Sequence, residues 1–538
     1  MVNYREFNTT GDHSYNVYNA LKYCKEHNED TIVFDYGIYE FYGERASEDL
    51  LHISNHNINQ ICKIAFLIKD MENFTIDAKG SKFIFHSSII PFAVVNSCNI
   101  TLKDFCIDVD ETLVLQGKVS EVGNDWFDMQ IENQDKYYVQ NGKLHYYDAA
   151  GNDDVFHNIG IVSVNKERRF PTNAQDYNRV DKPNIYFEEV GEKKLRVYNS
   201  DLNVDTSTYV VTGCADRYAC SIAIRDSKSV TVKDAEILRS YGMGVIAQMT
   251  ENITIDRIVV KPGEKLLFSL NADATHFVHC KGLVEVKNCR FSGQRDDSLN
   301  IHGVFTKVIE KTDEYILVKY MHAQAKGLNI YRKDSEFAVV NPNTLIAKGR
   351  HKIAAVEVIN MGYTKIYVSG GTMDINVGEL IEDLTWSCDL VFKNNRVENH
   401  RARGMLVAAK GNVLISNNYF NTPGPAIIFE SNGTKWYEAG GTNSVRILNN
   451  TFDNCCYTDI WGKNVIDVIA RDEFNGRDYY HQYIEIQDNT FANCTKQLLY
   501  ANNVKTLVFK NNNKKNTDAI KEAEAENYAE FISDDRYI

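Results

Sequence analysis

The chain has 538 residues, 43% hydrophobic and 25% charged, a globular composition that excludes disorder throughout. Lys and Arg number 59 against 73 Asp and Glu, a formal net charge of −14. That balance argues against a nucleic-acid partner and suits a neutral substrate better than a polyanion. No run approaches the roughly 18 apolar residues of a transmembrane helix, and Met1 to Thr10 holds no signal-peptide core. The chain therefore reads as cytoplasmic, or as periplasmic or secreted if an export signal has been removed.

The first predicted element is a short helix, with Val17, Leu21 and Cys24 at helical spacing and Ser14 as its N-cap. Strands follow at 31–35 and 38–42 across a Tyr36-Gly37 turn, so that the helix closes the open end of a sheet stack. Beyond them a strand ending in Asn or Asp recurs. Val284–Asn288, Leu390–Asn394, Leu414–Asn417, Val445–Asn449, Ile484–Asp488 and Leu507–Asn511 are the clearest copies. Phe74–Asp77, Ile100–Asp104, Val230–Asp234 and Ile253–Asp256 are weaker ones. Asn394 and Asn417 lie 23 residues apart, a spacing within the range of one solenoid coil. Asn tolerates the bend at each strand end, and stacked copies form an Asn ladder.

The fold class expected is all-β: a right-handed parallel β-helix with two inserted small antiparallel barrel-like subdomains. The ladder stops at two places, which divides the chain into an N-terminal cap and first coils (1–111), a first insert (112–210), middle coils (211–304), a second insert (305–386), C-terminal coils (387–512) and a charged tail (513–538). Excising the second insert leaves the Asn288 and Asn394 coils as stacked neighbours. Twelve Cys lack metal-ligand or disulfide spacing, and neither a metal nor another cofactor is expected. Cys98, Cys289, Cys455 and Cys494, beside ladder positions, read as buried small hydrophobes.

The stretch Phe291–Gly303 concentrates chemistry: Asp296, Asp297, Asn300 and His302 fall within it. Asp296 lies eight residues past Asn288, and the same offset gives Gly242, Ala402 and Pro425 in other coils. One face of the solenoid should therefore carry Asp296, Asp297, Arg401, Arg403 and Glu430, a convergence of acids and arginines that marks a site. Asp273 belongs to the preceding coil. One rung plus a lateral offset sets it roughly 6–9 Å from Asp296, room for the water that inverting glycoside hydrolysis needs. Glu430, two rungs from Asp296, lines the opposite wall or acts as a base. Arg401 and Arg403 either pair with the acids or grip hydroxyls. His302 reads equally as a packed core residue, and Trp436 as a sugar platform or as a buried anchor of its loop.

Asn271-Ala-Asp273, Asp296–Gly303, Arg401-Ala-Arg403-Gly404 and Ala426–Glu430 resemble the motif blocks of glycoside hydrolase family 110. The resemblance runs from about residue 30 to 510. It implies a β-helix with inserted barrels, an inverting exo-α-galactosidase acting on terminal α-1,3-linked galactose, metal-independent chemistry, and Asp273, Asp296 and Asp297 as the catalytic acids. Asn300, His302, Glu430, Arg401, Arg403 and Trp436 are the substrate-binding candidates. Asp296 is assigned as the general acid, because the middle carboxyl of a crowded trio should hold its proton. Asp273 and Asp297 then deprotonate the water. The alternatives are a polygalacturonase-like hydrolase, against which stand the missing Gly-His-Gly and Arg-Ile-Lys, and a non-catalytic carbohydrate-binding solenoid.

Overall fold

A computed structural model describes residues 1–56, 61–156, 161–164, 176–177, 185–198, 204–214, 216–458, 460–470, 473–517 and 522–534. The chain is a parallel β-helix. Its coils stack so that one apolar residue of each sits on the same residue of the next. Phe74, Ile100, Val230, Ile253, Val284 and Leu390 head one such column, which continues through Val413, Val445, Ile484 and Leu507. All ten are buried. Each contributes on the order of 1.5–3 kcal/mol by leaving water. A second column runs Phe92, Ile222, Val245, Thr275, Leu299, Met405 and Ile427. It carries the site.

The turn after the first column separates two jobs that the spacing of the repeat assigns to one residue. Asn288, Asn394, Asn417, Asn449, Asp488 and Asn511 take the left-handed conformation, with φ between 52° and 57°. There a short polar side chain is tolerated where most residues are strained. The hydrogen-bonded ladder is built by the next residue of each pair. Asn418 Nδ2 donates to Asn450 Oδ1 (2.9 Å), Asn450 to Asn489 (3.0 Å) and Asn489 to Asn512 (3.1 Å), while each Oδ1 accepts the backbone N–H of the coil before it. Cys289 occupies the equivalent place one rung below Asn395 and is buried there, as are Cys455 and Cys494; Cys98 is only half-buried. All twelve cysteines are free thiols. In the weaker coil at Asp256 the left-handed residue is Arg257.

The N-terminal helix spans His13–His27 and is capped by Asp12, whose carboxylate accepts the Ser14 N–H, so Ser14 lies inside the helix. Its face of Val17, Ala20, Leu21 and Cys24 joins the core of the coils. At the other end the stack outruns residue 512. Ala523–Ser533 pairs in parallel with Gln497–Lys510, so the expected charged tail contains another rung; residues 535–538 lie outside the described residues.

The inserts are antiparallel. The first joins Val114–Val122 to Trp126–Ile131 on one side and Tyr209–Gly213 on the other, which carries it three residues past the expected boundary at 210. In the second, Leu299–Lys311 leaves the solenoid as one continuous strand and pairs with Tyr315–Tyr320. Pairing then passes through Tyr363–Val368, Ala347–Asn360, Glu336–Val340 and Leu380–Asp383 and returns to Phe305–Lys307. The circuit closes on itself. Lys281–Lys287 lies directly on Cys388–Lys393, with Val284 opposite Leu390, so the solenoid continues across the excised insert.

Candidate active site

The register of the second column decides which side chains meet. Thr275 pairs with Leu299, Leu299 with Met405, and Met405 with Ile427. Two residues earlier in each coil stand Asp273, Asp297, Arg403 and Pro425. Asp297, not Asp296, is therefore level with Asp273; the Ala274 N–H donates to the Asp297 carbonyl at 2.9 Å. Ala402 is level with Asp296 as the offset predicts, but Pro425 slips by one and Gly424 takes its place, donating to the Ala402 carbonyl at 2.9 Å. The coil from Met405 to Ile427 is shorter than the one from Thr275 to Leu299, and an offset counted from the ladder cannot see that. Ala402 adopts φ 70°, and a Cβ on Gly404 would run into the Ala426 carbonyl, so this tight turn delivers the Arg403 backbone to the acids.

An open cleft of about 470 Å³ lies along this face. Asp273, Asp296, Asp297, Asn300, Arg401, Arg403, Glu430 and Trp436 all line it. Asp273 and Asp297 form its floor and are 4% and 1% exposed. Asp297 is clasped by Arg403, whose Nη2 and Nε donate at 2.7 and 3.1 Å and whose backbone N–H donates at 3.0 Å. Asp296, with a side chain 23% exposed, stands at the open edge and accepts from Arg217 Nη2 at 3.2 Å. Arg401 donates to the Arg295 carbonyl at 2.7 Å and lies over the Trp461 ring, so it braces the wall. Trp436 is 44% exposed at the mouth, against His322 of the second insert, and is not a buried anchor. Asn432 Oδ1 anchors that loop by accepting the N–H groups of Thr434, Lys435 and Trp436. His302 does not line the cleft. It sits behind His276, with Nε2 of the two rings 3.1 Å apart.

Residues 315–372 match a protein family described as GLAA-B beta-barrel domain II. The chain is 30% identical over 503 residues to an α-1,3-galactosidase A of Shewanella woodyi, covering 92% of this chain and 81% of that protein. The chain belongs to the α-1,3-galactosidase family. An α-1,3-galactosidase B of Bacteroides thetaiotaomicron is 27% identical over 511 residues, 92% of this chain and 82% of its own. Among solved structures, the mannuronan C-5 epimerase AlgE4 A-module of Azotobacter vinelandii aligns with TM-score 0.43 and 8% identity over 99% of this chain and 100% of that one.

As a member of the α-1,3-galactosidase family the chain is a glycoside hydrolase, and the carboxyls of its cleft differ in their electrostatics. Burial, reinforced by the charge of Asp296, pushes the Asp273 carboxyl up to about 8. Burial also lifts Asp297 to about 7 against the pull of Arg403. The raised carboxyls are thus the two buried on the cleft floor. Burial pushes the His276 imidazole below its usual range. Behind Glu430, burial and then the Glu430 charge push Asp467 to about 6, against the hydrogen bonds it accepts.

Three participants carry no signal in the motif blocks. Arg217 lies in the connection that follows the first insert. Glu438 is placed by antiparallel pairing with Val304. His276 could have been found from register, since it pairs with Asn300 and therefore faces the same cleft.

Proposed function

We propose that this protein is an inverting exo-α-galactosidase of the glycoside hydrolase family 110 type, releasing terminal α-1,3-linked galactose from oligosaccharides or glycoconjugates that carry blood group B-type or linear epitopes. One observation carries the reading: two buried carboxyls on adjacent rungs face a third at the cleft edge, inside one polar cavity. A water seated over Asp273 and Asp297 has a base on the floor of the site. Asp296, the accessible member, is the one that a glycosidic oxygen reaches. In this role it gives a proton to the leaving oxygen as the glycosidic bond breaks. Asn300 Oδ1, buried and unpartnered among the described residues, is an acceptor for a sugar hydroxyl, and Trp436 offers a ring face at the mouth. Closure of the second strand circuit supports its reading as a small barrel whose Gln324 and His322 shape the entrance.

The test is NMR of the freshly formed product from an α-1,3-galactosyl disaccharide, with and without a branching fucose. β-Galactose is expected first. α-Galactose as first product overturns the inverting mechanism, and no release from either substrate overturns the activity.

A further inference from the structure

Behind the cleft floor runs a chain of buried polar contacts. Asp273 Oδ2 lies 2.7 Å from His276 Nδ1, His276 Nε2 lies 3.1 Å from His302 Nε2, and His302 Nδ1 lies 2.6 Å from the Gly303 carbonyl. His302 Nε2 is also 3.6 Å from Glu438 Oε1, and Glu438 again lines the cleft. The side chains of Asp273, His276 and His302 are at most 5% exposed.

Protons can be counted along it. The Gly303 carbonyl only accepts, so His302 Nδ1 carries a hydrogen. If both rings were neutral and Asp273 ionised, one contact would always fail. Either two lone pairs would face each other between the rings, or a bare His276 Nδ1 would face a carboxylate. One further proton closes every contact. It resides on Asp273, on His276 or on His302, and the same hydrogen bonds persist with donors reversed.

We propose that Asp273, His276 and His302 form one titrating unit that shares a single proton, with His302 beside Glu438 as the place where that proton is held while Asp273 serves as base. This rests on the reading of Asp273 as a base. In the transfer the Asp273 Oδ2–H bond breaks as the His276 Nδ1–H bond forms, and the His276 Nε2–H bond breaks as the His302 Nε2–H bond forms. A carboxylic acid and a neutral imidazole become a carboxylate and an imidazolium, with no proton exchanged with solvent. Glu438 favours the imidazolium, and Arg217 and Arg403 favour the carboxylate. Asp296 and Asp297 oppose the carboxylate, and His56, His279 and His322 are further titratable groups around it. His276 and His302 are positioning residues: they decide which protonation state Asp273 presents to the water.

The test has two arms on the full-length protein. In the first, histidine ring nitrogens are labelled with ¹⁵N and the His276 and His302 signals assigned with single His→Gln variants. Shared-proton shifts on both rings that titrate together, and that collapse in Asp273→Asn, are expected. Independent titration of the two rings overturns the proposal. In the second, pH profiles and solvent-isotope proton inventories are measured for His302→Gln and Glu438→Gln. Loss of the holding place leaves the proton on Asp273. The acid limb of kcat should therefore move up by about one pH unit, with kcat down about 10-fold to 100-fold, KM little changed and a curved inventory made linear. Unchanged limb and inventory with only a lower Tm assign the pair a structural role and refute the relay. Glu438, on the cleft wall, keeps this arm decisive if His302→Gln does not fold. The first arm needs no turnover, so absence of galactosidase activity counts against the proposed function and not against proton sharing.

Discussion

Replacing Arg403 by Gln removes the charge that clasps Asp297. The guanidinium donates to both carboxylate oxygens at 2.7 and 3.1 Å, the carboxylate is 1% exposed, and its pKa already stands at about 7 with Arg403 opposing burial. An opposite charge at this range holds a carboxyl down by about 1–3 pKa units, so Asp297 should rise to about 8–10 without it. At pH 7 the ionised fraction then drops from about one-half to between about one-tenth and one-thousandth. A loss of about fivefold to five-hundredfold in kcat/KM follows if Asp297 must be ionised to act. The assay is kcat/KM against pH on a nitrophenyl α-galactoside. The acid limb should move up by those 1–3 units, and activity should recover toward alkaline pH. Arg403→Lys should move it less, because charge remains while the fork is lost. Stability follows the same linkage. A carboxyl whose folded pKa is raised contributes stability that is full below its unfolded value and is lost as pH rises to the folded one. Wild-type loss from Asp297 should therefore end near pH 7, while that of Arg403→Gln continues to about pH 8–10. An acid limb that stays in place while activity falls would refute the argument.

Asp296→Asn is expected to abolish disaccharide hydrolysis yet spare nitrophenyl galactoside more, because an activated leaving group needs no proton. If Glu430→Gln alone shows this dependence, Glu430 is the acid. Asp273→Asn should inactivate both substrates alike and should raise Tm relative to wild type, with a difference on the order of a few kcal/mol at pH 8 that vanishes toward pH 4. The Asn amide can donate to His276 as a protonated carboxyl does, and thermal melts across pH measure the difference. In the ladder, Asn450→Ala removes the donor to the Ile415 carbonyl and the acceptor of the Asn418 backbone N–H, and should cost about 2–4 kcal/mol in denaturant melts. Asn449→Val, at φ 56°, should cost about 1–2 kcal/mol and Asn449→Gly far less. Trp436→Ala should raise KM for the disaccharide about 10-fold with kcat little changed, read by steady-state kinetics.

The solenoid was legible because each coil repeats the same strand and turn, so Val284 and Leu390 could be placed together across an insert of unknown shape. The repeat also concealed something. Adjacent Asn residues fill the left-handed turn and the ladder, and spacing cannot tell which does which. The acids and arginines were found from composition at a shared offset, but their alignment was not, because coil length changes between Thr275, Leu299 and Ile427. Register, set by backbone hydrogen bonds, moved Asp297 level with Asp273. The raised pKa values of Asp273 and Asp297 have burial as their largest cause, which spacing along the chain does not show. His276 and Glu438 escaped because one is hidden in an ordinary strand and the other is brought in by an antiparallel pair between Val304 and Glu438 that no sequence spacing announces.

The clamp between Asp297 and Arg403 joins residues that the second insert separates in the chain. A cut beside the exposed Met373 would leave two fragments, one ending beyond the floor acids and the other beginning before the arginine that ionises one of them. Neither fragment holds a working base. Turnover would report their reassociation, rung upon rung, and the second insert becomes a natural seam for fragment complementation.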